Sequence, residues 1–402
     1  MSQQQAMLIS LTEYIPCDLD RPTLSEEEAE LLWRNYGSQI AVEAPSFKTG
    51  QRWRLTSQGW VGHIPLTAEC HLALLPKIKL ANLFQMLDYA YNLKSFQFLS
   101  GLIDCQSLAE FYQELASILA KRVLDRARRG FYRAYLAESG QLAYVRGRLD
   151  LRQSLRRPGQ VKPHCSYEEH TADIADNQIL AWTLQGIARS GLCTERVLPT
   201  VRRAYRSLQG LVTLTPYDAG ACLGRLYHRL NEDYRPLHAL CRFFLDQVGP
   251  SHYLGDRTML PFLVDMARLY ERFVAEWLKS NLPPQFELKI QERVSLSQTN
   301  LLHFEIDLVL YEAKSGLVRG VLDTKYKRST GPDPADIHQM ISYAHTKNSP
   351  EAILIYPEPL AQSFDETIRG IRVRSLTFTL DGDLEQAGQK FLQELGIDTS
   401  CV

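Results

Sequence analysis

The sequence predicts a multidomain α+β protein with a β-rich N-terminal domain, a helical middle region and a C-terminal α/β domain on a mixed sheet. Its 402 residues exceed one ordinary core, since domains usually hold about 100–200 residues. A composition of 45% hydrophobic and 23% charged residues is typical of a folded globular protein. The apolar pattern changes twice along the chain, which predicts domains at 1–105, 106–255 and 256–402.

The N-terminal domain is predicted from short runs of β-forming residues between Gln51 and Leu80, punctuated by Gly and Pro. A helix is expected before them, around Ser25–Asn35. Ser25 is a good N-cap, and Glu28 follows three residues later, as in a capping box.

The middle region shows helical periodicity. One long helix is predicted to carry an apolar face formed by Leu108, Phe111, Leu115, Leu119 and Val123. Further helices are predicted at Ile174–Arg189, Glu195–Leu208 and Arg235–Gln247.

The C-terminal domain is predicted to begin with a helix that ends before Pro283 and Pro284. Strands and one helix then alternate, which favours a mixed sheet. The predicted strands are Phe286–Val294, Phe304–Tyr311, Leu317–Lys325 and Ala352–Tyr356, and the helix is Asp336–Thr346.

Charge is unevenly distributed along the chain. The net charge of −1 excludes the strongly basic signature of a dedicated nucleic-acid binder. Residues 1–30 nevertheless carry seven acidic side chains and one basic one, which we expect to be a solvated face. Residues 121–162 carry twelve Lys and Arg against three acidic residues.

The basic run has two interpretations. It forms a track for DNA phosphates, or its arginines pair with acidic side chains or lie on a solvated face. The candidate DNA-binding residues are Arg126, Arg129, Arg133, Arg146 and Arg148.

Several function classes are excluded by missing motifs. The sequence has no GxxxxGK[ST], GxGxxG, GxSxG or HExxH pattern, so a nucleotide hydrolase, a dinucleotide enzyme, a serine hydrolase and a zinc protease are unexpected. The eight cysteines form no CxxC pair, which is typical of reduced thiols in a cytoplasmic protein. No uncharged stretch reaches 18 residues, so no membrane segment is expected.

The chemistry is concentrated in residues 303–327, which read as two strands joined by a turn. Asp323 and Lys325 are two residues apart and therefore point to one face of the second strand. Asp307 interrupts an apolar run in the first strand, where a buried carboxylate is costly unless compensated. A divalent cation between Asp307 and Asp323 would compensate it. A simple Asp323–Lys325 salt bridge without a metal is the alternative.

These residue types fit phosphodiester hydrolysis. Two carboxylates and a backbone carbonyl can hold Mg²⁺, while Lys325 orients or deprotonates water or stabilises developing charge. Gln339 and Tyr343, four residues apart, share one face of the following helix. Glu271 lies at the edge of an apolar helical stripe, from which it could reach the site; a solvated glutamate is the alternative.

The order helix-Glu, strand-Asp, Asp-x-Lys and helix Gln-x-x-x-Tyr resembles the PD-(D/E)xK nuclease superfamily, in the branch with a QxxxY helix. More narrowly, the segments resemble the McrC family, the endonuclease subunit of McrBC-type modification-dependent restriction systems. The matching segments are LLPKI, RGFYRAYLAE, VRGRLDL, YEEHTADIADNQIL, FLVDMARLYERFV, EIDLVLY, GVLDTKYK and HQMISYA. One departure is Ile306, which precedes Asp307 where the superfamily usually has proline.

The resemblance implies a restriction-endonuclease-like C-terminal domain. It assigns Mg²⁺ binding to Asp307 and Asp323, with Glu271 as an additional ligand, and catalytic roles to Lys325, Gln339 and Tyr343. These six residues are the candidates for DNA cleavage by this chain.

The resemblance also implies a partner, an McrB-like AAA+ GTPase hexamer. That partner binds GTP, which this chain does not, and recognises methylated cytosine. The N-terminal domain is implied to insert into the motor ring and to stimulate hydrolysis. No membrane and no small-molecule substrate are expected.

Two other functions stay open from the sequence. The chain is a non-cleaving scaffold and GTPase activator, or it is a QxxxY-type nuclease of another DNA defence or repair system that acts on DNA ends.

Overall fold

A computed structural model describes residues 7–67, 70–93, 107–155, 162–247, 252–254, 257–259, 261–295, 303–327 and 331–397. The chain forms two compact units. The first contains Met1–Ala109 together with Gln247–Val402, and the second contains Glu110–Asp246. Helices and several sheets occur in the chain, which confirms the predicted α+β class.

The described residues of the N-terminal part of the first unit form two small sheets and two helices. One sheet has the order β1-β6-β5-β12 and the other the order β2-β4-β3. The elements are β1 (Met7–Thr12), β2 (Cys17–Leu19), α1 (Glu26–Tyr36), β3 (Ile40–Glu43), β4 (Trp53–Ser57), β5 (Trp60–Pro65), β6 (Cys70–Leu75), α2 (Leu80–Tyr91) and β12 (Phe262–Asp265). Because β12 comes from the last third of the chain, distant segments share one sheet.

The predicted capping box of α1 is confirmed. Ser25 Oγ accepts the Glu28 N–H at 3.2 Å, and Glu28 Oε2 accepts the Ser25 N–H at 3.0 Å. Leu32 and Tyr36 of this helix are fully buried with Leu11 and Leu72 of the sheet, so the amphipathic face of α1 closes the N-terminal core.

The second unit contains the predicted helices. Its elements are α3 (Leu108–Arg129, which begins at the boundary between the units), β7 (Ala134–Gln141), β8 (Arg148–Leu149), α4 (Leu151–Leu155), β9 (His164–Thr171), α5 (Ala175–Arg189), α6 (Leu198–Leu208) and α7 (Tyr234–Asp246). The apolar face predicted for α3 is buried along its whole length.

The middle region, predicted as helical, also contains strands. β7, β9 and β8 form an antiparallel sheet in that order. Nearly every residue of β7 is partly or fully exposed. A strand without a buried face lacks the alternation of apolar and polar residues by which strands are recognised in a sequence.

The C-terminal part of the first unit is built on a six-stranded mixed sheet, as predicted. Its order is β13-β14-β15-β16-β18-β17, in which β15, β16 and β18 are parallel. The elements are β10 (His252–Leu254), β11 (Arg257–Met259), α8 (Met266–Asn281), β13 (Phe286–Ser295), β14 (His303–Glu312), β15 (Val318–Thr324), α9 (Pro334–Lys347), β16 (Glu351–Tyr356), β17 (Asp365–Ile368), β18 (Ile371–Thr377) and α10 (Leu384–Glu394). Helix α9 is the crossover between the parallel strands β15 and β16.

Polar contacts join the two parts of the first unit. Asn82 Nδ2 of α2 donates to the Leu380 carbonyl at 2.5 Å, and the Tyr89 hydroxyl donates to Glu385 Oε2 at 2.9 Å. Among the described residues, none of the helices has the length and apolar character needed to cross a lipid bilayer.

Candidate active site

Asp307 and Asp323 lie on neighbouring antiparallel strands. Leu308 of β14 pairs with Leu322 of β15, so the same register places Asp307 opposite Asp323. Asp323 is 3% exposed, and Asp307 is partly buried. Carboxylates directly opposite each other repel, and the fold therefore holds two acidic groups in an arrangement that costs free energy.

The protonation of this pair reflects that cost. Burial, together with the charges of Asp323 and Glu271, raises the pKa of Asp307 to about 8, and the Lys325 charge opposes this increase only in part. Burial also raises the pKa of Asp323, although Lys325 opposes this. The carboxyls of Asp307 and Asp323 share a hydrogen bond. Without a cation, the pair holds a proton near neutral pH.

Glu271 on α8 is a third acidic residue whose charge acts on Asp307 and Asp323. Burial raises the pKa of Glu271, and the Asp323 charge adds to the increase. Gln291 Nε2 of β13 donates to Glu271 Oε1 at 3.3 Å. Among the described residues, no group of three or more His, Cys, Asp and Glu side chains has the arrangement of a metal site. The role of Glu271 as a metal ligand beside Asp307 and Asp323 stays a prediction.

Gln291 is a site residue that the sequence did not reveal. Its backbone has φ of 49°, in the left-handed region, although it lies inside β13. The ladder pairs on either side of it are Ile290 with Leu308 and Glu292 with Ile306, so Gln291 lies opposite Asp307. A strained residue beside a carboxylate pair is common at functional sites. A strand-like run such as FELKIQERVS gives no sign of it.

Lys325 lies between two carboxylates. Its Nζ is 2.7 Å from Asp323 Oδ2 and 3.6 Å from Asp336 Oδ1. Burial lowers the pKa of Lys325, but the charges of Asp323, Asp336 and Asp307 outweigh burial and raise it. Lys325 is therefore a charged ammonium, which favours charge stabilisation over proton abstraction.

Asp336 is a second residue that the sequence analysis missed. Its Oδ2 lies 2.6 Å from Lys327 Nζ, so Asp336 contacts both lysines of the DTKYK segment. It lies in the first turn of α9, where the helix dipole favours a carboxylate. The helix begins at Pro334, with Asp333 as N-cap, and not at Asp336 as predicted. That difference moves Asp336 from the helix boundary into the first turn, facing the lysines.

Gln339 and Tyr343 share a face of α9, as predicted. Gln339 Nε2 donates to the Tyr343 hydroxyl at 2.6 Å. The Tyr343 ring is 6% exposed and meets the Phe304 ring edge-on, with centroids 5.1 Å apart. Among the described residues, neither side chain hydrogen-bonds to Asp307, Asp323 or Lys325. Their roles in catalysis stay predictions.

The donor set fits a hard divalent cation. Carboxylate oxygens are the preferred protein ligands of Mg²⁺. Asp323 Oδ2 is buried and accepts no well-oriented hydrogen bond from the described residues, although Lys325 Nζ lies nearby. A cation between Asp307 and Asp323 would replace the shared proton and remove the repulsion between the two carboxylates.

The candidate DNA-binding arginines fall into two groups. Arg126 Nη1 lies 3.2 Å from Asp233 Oδ2, and Arg129 also approaches Asp233. Arg146 Nη1 lies 2.5 Å from Glu169 Oε2. These three arginines are paired within the second unit.

Arg133 and Arg148 are exposed, and the described part of the chain offers neither of them an ion-pair partner. Arg156 and Arg157, which also belong to the basic run, lie outside the described residues.

The family of this chain is shown by comparison with known protein families. Residues 55–357 match the family described as "McrBC 5-methylcytosine restriction system component". The match covers more than half of the chain, so the chain belongs to this family. The resemblance to McrC proteins is thereby confirmed at the level of the family.

Known relatives are distant. The chain is 22% identical over 267 residues to the "Type IV methyl-directed restriction enzyme EcoKMcrBC" of Escherichia coli (strain K12), which covers 63% of this chain and 75% of that protein. It resembles a chain in a tetradecameric assembly of Thermococcus gammatolerans McrB AAA+ hexamers with bound McrC. The TM-score is 0.56 at 17% identity, over 97% of this chain and 100% of that one.

A chain of the Thermococcus gammatolerans McrBC complex is less similar, with a TM-score of 0.43 at 18% identity, over 68% of this chain and 88% of that one.

Proposed function

We propose that this chain is the Mg²⁺-dependent DNA endonuclease subunit of an McrBC-like restriction complex, with a PD-(D/E)xK nuclease domain in its C-terminal part. The observation that carries the proposal is the position of Asp307 opposite Asp323 with the Lys325 ammonium 2.7 Å from the second carboxylate. Membership of a restriction-system family supports DNA as the substrate.

The charges of the site suit phosphodiester hydrolysis. Asp307 and Asp323 would hold a divalent cation, which would supply Lewis acidity at the phosphate and lower the pKa of a bound water. Lys325, fixed by Asp323 and Asp336, places a positive charge where negative charge develops on the phosphate oxygens. Because these groups are largely buried, their electrostatic effect is stronger than it would be in water.

The charge cluster also argues against the scaffold alternative. A non-cleaving scaffold gains nothing from opposed buried carboxylates, which lower its stability. A metal-dependent enzyme needs them.

We further propose that an McrB-type AAA+ GTPase hexamer drives cleavage and that this chain stimulates its GTP hydrolysis. The similar solved assembly contains McrB AAA+ hexamers with bound McrC. The lack of a phosphate-binding loop in this sequence agrees with a GTP site on a partner.

The test uses the full chain with an McrB-type AAA+ GTPase, GTP, Mg²⁺ and a supercoiled plasmid that carries 5-methylcytosine. Wild type is expected to nick or linearise the plasmid, and Asp323→Asn is expected to lose this activity while still stimulating GTP hydrolysis. Asp365→Asn is the matched control, since Asp365 pairs with Arg372 at the far edge of the same sheet.

Two results would contradict the proposal. Equal cleavage by wild type and Asp323→Asn would exclude these carboxylates as the catalytic site. Cleavage of linear but not circular DNA would favour the end-dependent nuclease instead.

A further inference from the structure

Tyr326 lies between Lys325 and Lys327, just beyond the end of β15. The strand ends at Thr324, and the Lys325 N–H donates to the Ile355 carbonyl at 2.8 Å. Side chains alternate along an extended segment, so Tyr326 points away from the face that carries the two lysines. The position of Lys325 therefore depends on what holds Tyr326.

The side chain of Tyr326 is held by the N-terminal part of the unit. Its hydroxyl donates to Glu13 Oε1 at 3.1 Å, and the Lys77 backbone N–H donates to the same oxygen at 2.8 Å. Tyr326 is 5% exposed and Glu13 is 1% exposed. Glu13 directly follows β1 and Lys77 follows β6, two strands that pair in parallel.

Two further contacts surround the same tyrosine. Lys77 Nζ lies 4.6 Å from the centre of the Tyr326 ring and 3.3 Å from Glu358 Oε1, and the Lys77 side chain is 4% exposed. The Tyr14 hydroxyl lies 3.5 Å from the Tyr326 carbonyl oxygen. Both the side chain and the backbone of Tyr326 therefore face residues of the N-terminal part.

Charged side chains are costly to bury. The buried Glu13 carboxylate and Lys77 ammonium are therefore better explained by the geometry that they impose than by a contribution to stability. Burial and the Glu13 charge raise the pKa of Tyr326, so the phenol keeps its proton and acts as the donor to Glu13. A donor, an acceptor and a cation over the ring together define one position for Tyr326.

We infer that Glu13 and Tyr326 are positioning residues, a clamp through which the N-terminal part of the unit fixes Lys325 beside Asp323. The catalytic meaning of this clamp rests on the function proposed above. The C-terminal sheet carries the carboxylates, but the placement of the lysine depends on residues that precede it by more than 300 positions. Residues from both parts of the first unit then determine the geometry of the catalytic site.

The position of Lys325 can be measured without cleavage. Acetylation of lysines by an amine-reactive ester, followed by mass spectrometry, reports how freely each ammonium leaves its ion pairs. The full chain is compared with Tyr326→Phe, which removes one oxygen, and with Glu13→Gln. Tyr234→Phe is the matched control, because Tyr234 is fully buried and its hydroxyl donates to Asn177 in the other unit.

Lys325 is expected to react about fivefold faster in Tyr326→Phe and Glu13→Gln, the factor that corresponds to loss of one hydrogen bond. Lys347, paired with Glu292 at 2.8 Å, is the internal reference and should not change. An unchanged Lys325 rate in folded Tyr326→Phe would overturn the inference, and this variant decides the matter if Glu13→Gln does not fold.

Cleavage by the partner complex gives a second readout. Tyr326→Phe is expected to lower the rate at saturating methylated plasmid without changing plasmid affinity, with the rate expressed per folded chain so that partial unfolding does not count as a loss of catalysis. Faster acetylation combined with a wild-type rate would overturn the positioning role. If wild type itself does not cleave, the proposed function fails, while the acetylation result still tests the clamp.

Discussion

Lys325 Nζ lies 2.7 Å from Asp323 Oδ2, and Asp323 in turn lies opposite Asp307. One ammonium compensates only one of the two carboxylates. The raised pKa of Asp307 reflects the free-energy cost of ionising the other. One more positive charge at the site would therefore offset this cost.

Mg²⁺ is expected to stabilise the wild-type chain. A cation that binds only the folded state adds about 2.7 kcal/mol when its concentration is a hundred times its dissociation constant. Titration calorimetry and thermal melts with Mg²⁺ or EDTA measure this effect. Asp307→Asn should abolish it, whereas Asp365→Asn should not. Equal Mg²⁺ binding by Asp307→Asn and wild type would refute Asp307 as a ligand.

The stability of the metal-free chain is expected to fall as the pH rises towards about 8. Burial, with the charges of Asp323 and Glu271, raises the pKa of Asp307 to about 8. The folded state therefore keeps a proton on Asp307 that the unfolded chain releases near pH 4. The stabilisation associated with this proton is complete below about pH 4 and is lost as the pH approaches the raised value.

Asp307→Asn removes this dependence. In EDTA, its free energy of unfolding relative to wild type should increase by about 2–4 kcal/mol between about pH 5 and about pH 9, as measured by urea denaturation. Asp365→Asn should keep a constant difference from wild type over this range, since the hydrogen bond to Arg372 lowers the pKa of Asp365 and the carboxyl is ionised in both the folded and the unfolded state above about pH 5. A constant difference between Asp307→Asn and wild type would show that Asp307 ionises normally.

Local rules explain how much of the site the sequence could predict. Asp323 and Lys325 share a face because side chains alternate along a strand, and Asp307 lies nearby because consecutive strands with a short turn pair. Both rules need only residues close together in the sequence, and the fold of the C-terminal sheet follows from the same kind of pattern.

The contacts that hold Lys325 from outside could not be predicted in this way. Glu13 and Tyr326 are separated by 313 positions, and no periodicity links them. Asp336 was visible as an acidic residue, but its contacts depend on the crossover of α9 between parallel strands. The exposed sheet of β7–β9 was missed for a different reason, because it buries no continuous apolar face.

Asp336→Asn is expected to slow DNA cleavage by about tenfold, because Lys325 and Lys327 both lose a carboxylate partner. Asp336→Glu should restore part of the rate by restoring the charge. Asp333→Asn is the control, since its oxygen is 3.8 Å from Lys327 and asparagine is an equally good N-cap. Plasmid cleavage by the complex at saturating Mg²⁺ measures these rates. Equal slowing by Asp333→Asn and Asp336→Asn would indicate damage to the helix end and not loss of the ion pairs.

The arginines of the second unit are expected to separate into structural and DNA-contacting residues. Arg126→Ala should lower the free energy of unfolding by about 1–2 kcal/mol, because it leaves Asp233 without its closest partner and removes a cation from the Tyr234 ring. The double variant Arg133→Ala and Arg148→Ala should leave stability unchanged, since both side chains are exposed.

The effects of these variants on DNA binding by the partner complex should be the reverse of their effects on stability. If Arg133 and Arg148 contact phosphates, the double variant lowers affinity and reduces the slope of log affinity against log salt by about 1–2, because each phosphate contact contributes about 0.9. Arg126→Ala should keep the wild-type slope. The same slope for the double variant and wild type would mean that these two exposed arginines lie on a solvated face. DNA would then be held by the partner and by the nuclease site, consistent with a chain whose net charge is only −1.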